Sequence, residues 1–137
     1  MSLNAVLLRQ SFDAIVEREP ALTRRFYDVL FSRFPQAKPL FGSASMDRQM
    51  EMLQSALVSV LDHLEDASWL ASTLGALGRK HAGYGVTAEM YDWVGESLVT
   101  ALAESAGPAW TTAMREAWAD AYGAIARLML AGAAESA

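Results

Sequence analysis

The sequence predicts an all-α fold of about seven helices. Three observations carry that prediction. Apolar residues return at three- and four-residue intervals through most of the chain, residues that start or stop helices stand at the ends of those periodic stretches, and no stretch combines β-branched alternation with hairpin turn residues. No internal repeat is visible, and only the tail, residues 131–137, is low in complexity.

Taken in order, Ser2 or Asn4 can cap a first helix whose apolar residues Leu8, Phe12, Ile15 and Val16 share one side, with Arg9, Asp13 and Glu17 on the other. Pro20 suits the first turn of a second helix that runs to about Phe34. Its residues Leu22, Phe26, Tyr27, Val29, Leu30 and Phe31 cover more than one face, so this helix is predicted to lie between neighbours. Pro35 and Pro39 confine the backbone, and residues 36–41 read as a short 3₁₀-like turn that drives Leu40 and Phe41 inward, followed by a loop over residues 42–45. From Met46 the helical period returns, with Met50, Leu53, Leu57, Val60, Leu61 and Leu64 on one stripe and Gln49 on the face of Leu53, one turn away. Asp66 can cap the next helix, which carries Trp69, Leu70, Leu74 and Leu77 and is weakened by Gly75 and Gly78. Thr87 caps a helix with Tyr91, Val94, Leu98, Ala101 and Leu102 at core spacing. Gly107-Pro108 then interrupts, and Thr111 caps a last long helix whose inward face is Met114, Trp118, Ala121, Tyr122, Ile125 and Met129.

Composition narrows the function classes. With 53% hydrophobic and 20% charged residues, the 137-residue chain can bury a substantial core, and residues 1–137 are expected to form one domain. Cysteine is absent, which excludes disulfides, thiolate ligation of iron and cysteine-held clusters, and fits a reducing cytoplasm. The formal net charge of −5 argues against nucleic acid as a partner. No basic N-terminal region precedes a long apolar one and no apolar run reaches ~18 residues, so a soluble, unprocessed protein without stable membrane insertion is expected. Exposed Trp69, Trp93 or Trp110 leave a monomer or a homodimer open.

Chemistry concentrates at Leu77-Gly78-Arg79-Lys80-His81-Ala82-Gly83-Tyr84-Gly85-Val86. His81 stands at the end of a helix that glycines stop at once, among helices rich in Phe, Met, Leu and Tyr. That setting suits a cavity for a large flat apolar cofactor, with His81 as a ligand to its iron. The only other histidine, His63, lies fourteen residues past Gln49 on one helix, roughly 21 Å along its axis, and is expected at a solvated helix end rather than opposite His81. No HExxH, GxGxxG, phosphate-loop, GxSxG or calcium-loop pattern occurs, so a conventional hydrolase or nucleotide enzyme is not expected.

Five segments in order, Phe26-Tyr27-Asp28-Val29-Leu30-Phe31, Pro39-Leu40-Phe41, Leu77-Gly78-Arg79-Lys80-His81, Val94-Gly95-Glu96-Ser97-Leu98 and Ala117-Trp118-Ala119-Asp120-Ala121-Tyr122-Gly123, resemble the globin family over nearly the whole chain. The sequence is similar to bacterial single-domain haemoglobins of the flavohaemoglobin type and to neuroglobin. The resemblance implies helices crossing steeply around non-covalently held haem b. It implies His81 as the proximal iron ligand through Nε2, with its other nitrogen donating to a carbonyl one turn back, for which Leu77 is the candidate. It implies Phe41 packed on the haem face, and Tyr27 and Gln49 as distal donors to the ligand, with apolar Leu53 beside them. Val86, Tyr91 and Val94 match pocket positions or serve the core alone. Arg79 and Lys80 either pair with haem propionates or belong to a solvated face.

The implied function is reversible binding of O₂, with NO and CO as further ligands, in delivery, storage or scavenging. The alternatives are an NO dioxygenase served by an external reductase and a sensor or structural globin, with or without haem. Two departures from the resemblance sharpen these expectations. Neuroglobin has a histidine where Gln49 stands, so iron held by two imidazoles is not expected and the sixth site should be open. Counting from Trp118, Ala133 falls where flavohaemoglobins carry a supporting glutamate, with Glu135 the nearest acid, so a weaker push on bound oxygen and no peroxidase-like activity are expected.

Overall fold

Side-chain oxygens start most of the helices in the computed structural model, which describes residues 4–42 and 44–135. The Asn4 side chain accepts from the Leu7 N–H at 3.1 Å and opens α1 (Ala5–Arg18). Ser2, the other candidate cap, lies outside the described residues. Ser45 accepts from Arg48 N–H at 3.3 Å to open α3 (Met46–Asp62), and Asp66 accepts from Trp69 N–H at 3.0 Å to open α4 (Ala67–Gly83). Thr111 accepts from Met114 N–H at 3.1 Å at the head of α6 (Thr112–Glu135). Each such cap satisfies an otherwise orphaned amide and is worth ~1 kcal/mol. Thr87 precedes α5 (Ala88–Ala106), its own N–H donating to the Met90 sulfur at 3.4 Å.

The exception is α2 (Leu22–Arg33), which starts two residues later than Pro20 suggests because Ala21 offers no side-chain cap; Pro20 and Ala21 form a turn instead. The proline-confined segment forms a 3₁₀ helix, Pro35–Leu40, and Gly107-Pro108 opens a one-turn 3₁₀ helix, Gly107–Ala109. The fold is all-α, with no strand among the described residues.

The core falls into two clusters. The larger joins Leu8, Phe12 and Ile15 of α1 to Phe26, Tyr27 and Leu30 of α2, with Leu57 and Leu61 of α3, Leu98 and Leu102 of α5 and Trp118 of α6. Burial of each such side chain contributes ~1.5–3 kcal/mol. Inside it, Trp118 Nε1 donates to Ser11 Oγ at 3.0 Å, which donates to the Leu8 carbonyl at 3.1 Å, so the polar atoms are satisfied where α1 crosses α6. The smaller cluster holds Val60, Leu70, Leu74, Tyr91 and Met129. α2 packs along α5 and α4 packs along α6, whereas among the described residues α3 and α4 share no comparable seam.

The α4–α6 seam is closed by glycines. A methyl group at Gly78 would overlap the Met129 carbonyl, and one at Gly132 would overlap the backbone of Gly75. Gly75 and Gly78 thus cost helix propensity, as the sequence suggests, and in exchange let two backbones touch.

Candidate functional site

His81 lies in the last turn of α4, and the chain beyond it turns sharply. The N–H groups of Tyr84 and Val86 both donate to the His81 carbonyl, at 3.0 and 3.1 Å. Gly85 takes φ +88°, a left-handed conformation that a side chain would strain. Backbone and ring are anchored separately: His81 Nδ1 donates to the Leu77 carbonyl at 2.8 Å. With the proton on Nδ1, the Nε2 lone pair of the half-buried ring is left free. Tyr84, 63% exposed, sits edge-on to that ring at 6.4 Å.

The other candidate residues divide between the two clusters. Tyr27 belongs to the larger one, and Phe41, Met50, Leu53 and Val94 pack against it. Tyr27, Phe31 and Phe41 form a mutual aromatic contact, with ring centroids 5.4–5.9 Å apart. Tyr91 belongs to the smaller cluster, against which Leu77 and Val86 pack. Gln49 is half-buried in the first turn of α3, one turn before Leu53. Phe41, Met50, Leu53, Val94, Leu77 and Val86 are all half-buried, so each cluster presents incompletely covered apolar surface. Lys80 is exposed, and the Arg79 guanidinium reaches back to within 3.8 Å of the Cβ position of Gly75. The Glu135 side chain lies outside the described residues.

Burial governs the phenols. It pushes Tyr27 up to about 12, so the hydroxyl keeps its proton at any physiological pH. Burial also raises Tyr91. Tyr122 is pushed well above the ordinary tyrosine range by burial, with the negative charges that Tyr91 and Asp92 carry when ionised adding to the effect.

Two residues matter more than their helical stripes suggest. Tyr122 lies over Gly95, where a methyl group would come within 2.7 Å of its ring, and its hydroxyl donates to the Tyr91 carbonyl at 2.7 Å, tying α6 to α5 beside a candidate pocket residue. The Gly95 four residues after Tyr91 is the signal that could have found it. Met50 packs against the same cluster as Leu53 and Phe41. His63 is at a helix end as expected, half-buried and stacked: its ring lies 3.7 Å from that of Trp69 at 8°, and its Nδ1 donates to the Ser59 carbonyl at 2.7 Å. Trp69, three residues past the Asp66 cap, supplies an apolar face that pairwise spacing does not reveal.

The family model described as Globin matches residues 24–129. This chain belongs to the globin family. Among relatives of this globin, the flavohemoprotein of Bordetella pertussis is 32% identical over 126 residues, covering 90% of this chain and 31% of the relative. The globin thus spans about a third of the length of the curated relatives it matches. An engineered carbene transferase from Rhodothermus marinus, whose parent is designated a candidate nitric oxide dioxygenase, superposes with a TM-score of 0.83 at 30% identity, covering 96% of this chain and 92% of that one. A flavohemoglobin from Malassezia yamatoensis with bound FAD and heme superposes with a TM-score of 0.75 at 25% identity, over 96% of this chain and 36% of that one. Among the described residues of this globin, no helix is long and apolar enough to cross a membrane.

Proposed function

We propose that this globin holds haem b through His81 and reversibly binds O₂, with NO and CO as further ligands, in oxygen delivery, storage or NO scavenging. The observation that carries the reading is the anchored imidazole: with Nδ1 donating to Leu77, Nε2 is the one ring nitrogen left to a metal. The rest of the donor set fits a flat apolar group. Half-buried apolar side chains of both clusters offer surface for its two faces, and Lys80, exposed on α4, is the cation for its carboxylates. When bound, haem supplies a ferrous iron whose sixth site takes a diatomic ligand.

The residues around that site set the preference among ligands. Tyr27 keeps a phenol O–H, and Gln49 supplies an amide N–H; both donors favour a ligand that accumulates negative charge over one that does not, so O₂ gains more than CO. Phe41 and Leu53 exclude water and limit the space, while Leu77, Val86, Tyr91 and Val94 hold the opposite side apolar. The reading places the protein in the cytoplasm as a monomer or homodimer.

Absorption spectra of the purified protein, oxidised, reduced and with O₂ or CO, test the reading. A Soret band that shifts with CO in the wild type, is lost in His81→Gly and returns with added imidazole is expected. Bands untouched by His81→Gly would overturn the assignment.

Oxidation of NO to nitrate by ligand-loaded protein, with electrons from a separate reductase, is the second reading. It is favoured by the flavohemoprotein relatives and by the designation of the Rhodothermus parent. Turnover of NO in air with a flavin reductase, producing nitrate stoichiometrically over many cycles, separates it from a single stoichiometric reaction.

A further inference from the structure

α3 and α4 are joined at one corner and little else. Among the described residues they share no seam comparable to that of α4 with α6, yet they carry Gln49 and His81, the residues assigned to opposite sides of the iron. A short set of contacts spans the corner. The Asp66 N–H donates to the His63 carbonyl at 2.9 Å, and the Asp66 carboxylate accepts from the Trp69 N–H at 3.0 Å. Across them the imidazole of His63, from the end of α3, lies flat on the indole of Trp69, from the first turn of α4, with ring centroids 3.7 Å apart and planes 8° from parallel. Trp69 packs against the smaller cluster, as Leu77 does, and Leu64 in the corner itself packs against both clusters.

The stack can take up a proton without being dismantled. Nδ1 of His63 donates to the Ser59 carbonyl at 2.7 Å, so that nitrogen already carries its proton and Nε2 is the place for a second. The Ser59 bond survives the second proton, and the charge arrives on a ring that already faces an indole. A cation over the face of tryptophan is attracted by the ring's quadrupole, whereas a neutral imidazole gains only stacking. The charged groups of the corner favour the same state. Asp62, Glu65 and Asp66 are exposed carboxylates beside His63, set against the guanidinium of Arg9 on α1, which donates to the Leu61 carbonyl. Arg79 and Lys80 stand at the far end of α4, and Arg127 of α6 reaches towards Gly123. Histidine is the side chain whose charge changes between about pH 5 and 8.

We propose that His63 and Trp69 form a proton-responsive pin across the α3–α4 corner, tighter in acid than in alkali, which limits how far the two helices part. The pin itself needs no cofactor. Its consequence rests on the haem reading above: a group held between α3 and α4 is released when they part, so protonation of His63 should slow its loss.

Two measurements on the wild type, His63→Asn, Trp69→Leu and the double variant test the pin, each at about pH 5.5 and about pH 8.5, on either side of the histidine range. Asparagine keeps a donor for the Ser59 carbonyl and removes the ring. Urea unfolding followed by circular dichroism gives the coupling between the two residues, which should be about threefold larger, as a ratio of unfolding constants, at the acid pH. Hemin loss from the loaded protein to an apomyoglobin acceptor should be about threefold faster in either single variant than in the wild type in acid, and the ratio should fall towards one in alkali. Comparing proteins at one pH cancels whatever else acid does to all of them. Trp69→Phe, which keeps a weaker aromatic face, should fall between wild type and Trp69→Leu. A coupling of equal size at both pH values would overturn the proton response, and a hemin-loss ratio that ignores pH would overturn the link to the cofactor slot. A protein that takes up no hemin would overturn the haem reading instead, with the unfolding measurement still deciding the pin.

Discussion

The α4–α6 seam and the α2–α3 seam solve the same packing problem in opposite ways. In the first, Gly75 and Gly78 meet Met129 and Gly132 backbone to backbone, with no space for even a methyl group at Gly78. In the second, side chains meet around a groove of about 820 Å³, and α2 is held chiefly by α5. The helix that carries His81 is thus set in a close-packed seat, while the helices that carry Tyr27 and Gln49 meet each other through side chains. A ligand anchor benefits from the first arrangement, because displacing the helix displaces the imidazole.

The closed seam should break first and hardest. Gly78→Ala forces α4 away from a carbonyl that cannot rotate aside, and should cost about 3 kcal/mol or more, seen as a melting temperature lower by roughly 10 °C. Gly83→Ala is the matched control, since nothing lies within 4 Å of the Cβ it would add, and should shift stability by less than about 0.5 kcal/mol. A gain in Gly78→Ala would show that helix propensity, rather than the seam, decides.

On the open side the effect should appear in ligand kinetics. Hydrogen bonds to a charged acceptor are worth ~1.5–3 kcal/mol, so Tyr27→Phe and Gln49→Leu should each speed O₂ escape by roughly tenfold to a hundredfold in stopped-flow displacement. Unchanged O₂ dissociation in both would remove them from the ligand's surroundings.

The link between the sides is weaker. Tyr122→Phe deletes the hydroxyl that donates to the Tyr91 carbonyl at 2.7 Å, and urea denaturation should show a loss of ~1 kcal/mol. The last effect is seen only in alkali. Tyr27 rises from 10.0 to about 12 on folding, so its neutral form is favoured in the folded state. The unfolded chain ionises first, and this contribution is full below pH 10 and is lost as pH climbs through about 12. Tyr27→Phe should flatten that alkaline decline when urea stability is measured across the range. An unaltered decline would mean that Tyr122 and the other groups account for it.

Much of this is legible in the sequence. Asn4, Asp66 and Thr111 cap helices where the sequence places them, because a cap is a contact between residues two or three apart. The Leu77 carbonyl is the partner of His81 for the same local reason, one helical turn. The α2 start was less legible, since Pro20 tolerates a first turn without requiring one, and Ala21 provides no cap. Met50 and Tyr122 read as ordinary members of apolar stripes, and Gly75 and Gly78 as weak points. Their roles depend on Thr23, Gly95, Met129 and Gly132, none of which neighbours them in the chain.

By itself, then, the sequence determined the helices, their apolar faces and the histidine at the end of α4, because periodicity, capping and charge act over one or two turns. Tertiary structure alone decided which seam closed on glycine and which stayed open over Thr23 and Met50, because the distance between two helices depends on side-chain volumes brought together from far apart in the chain.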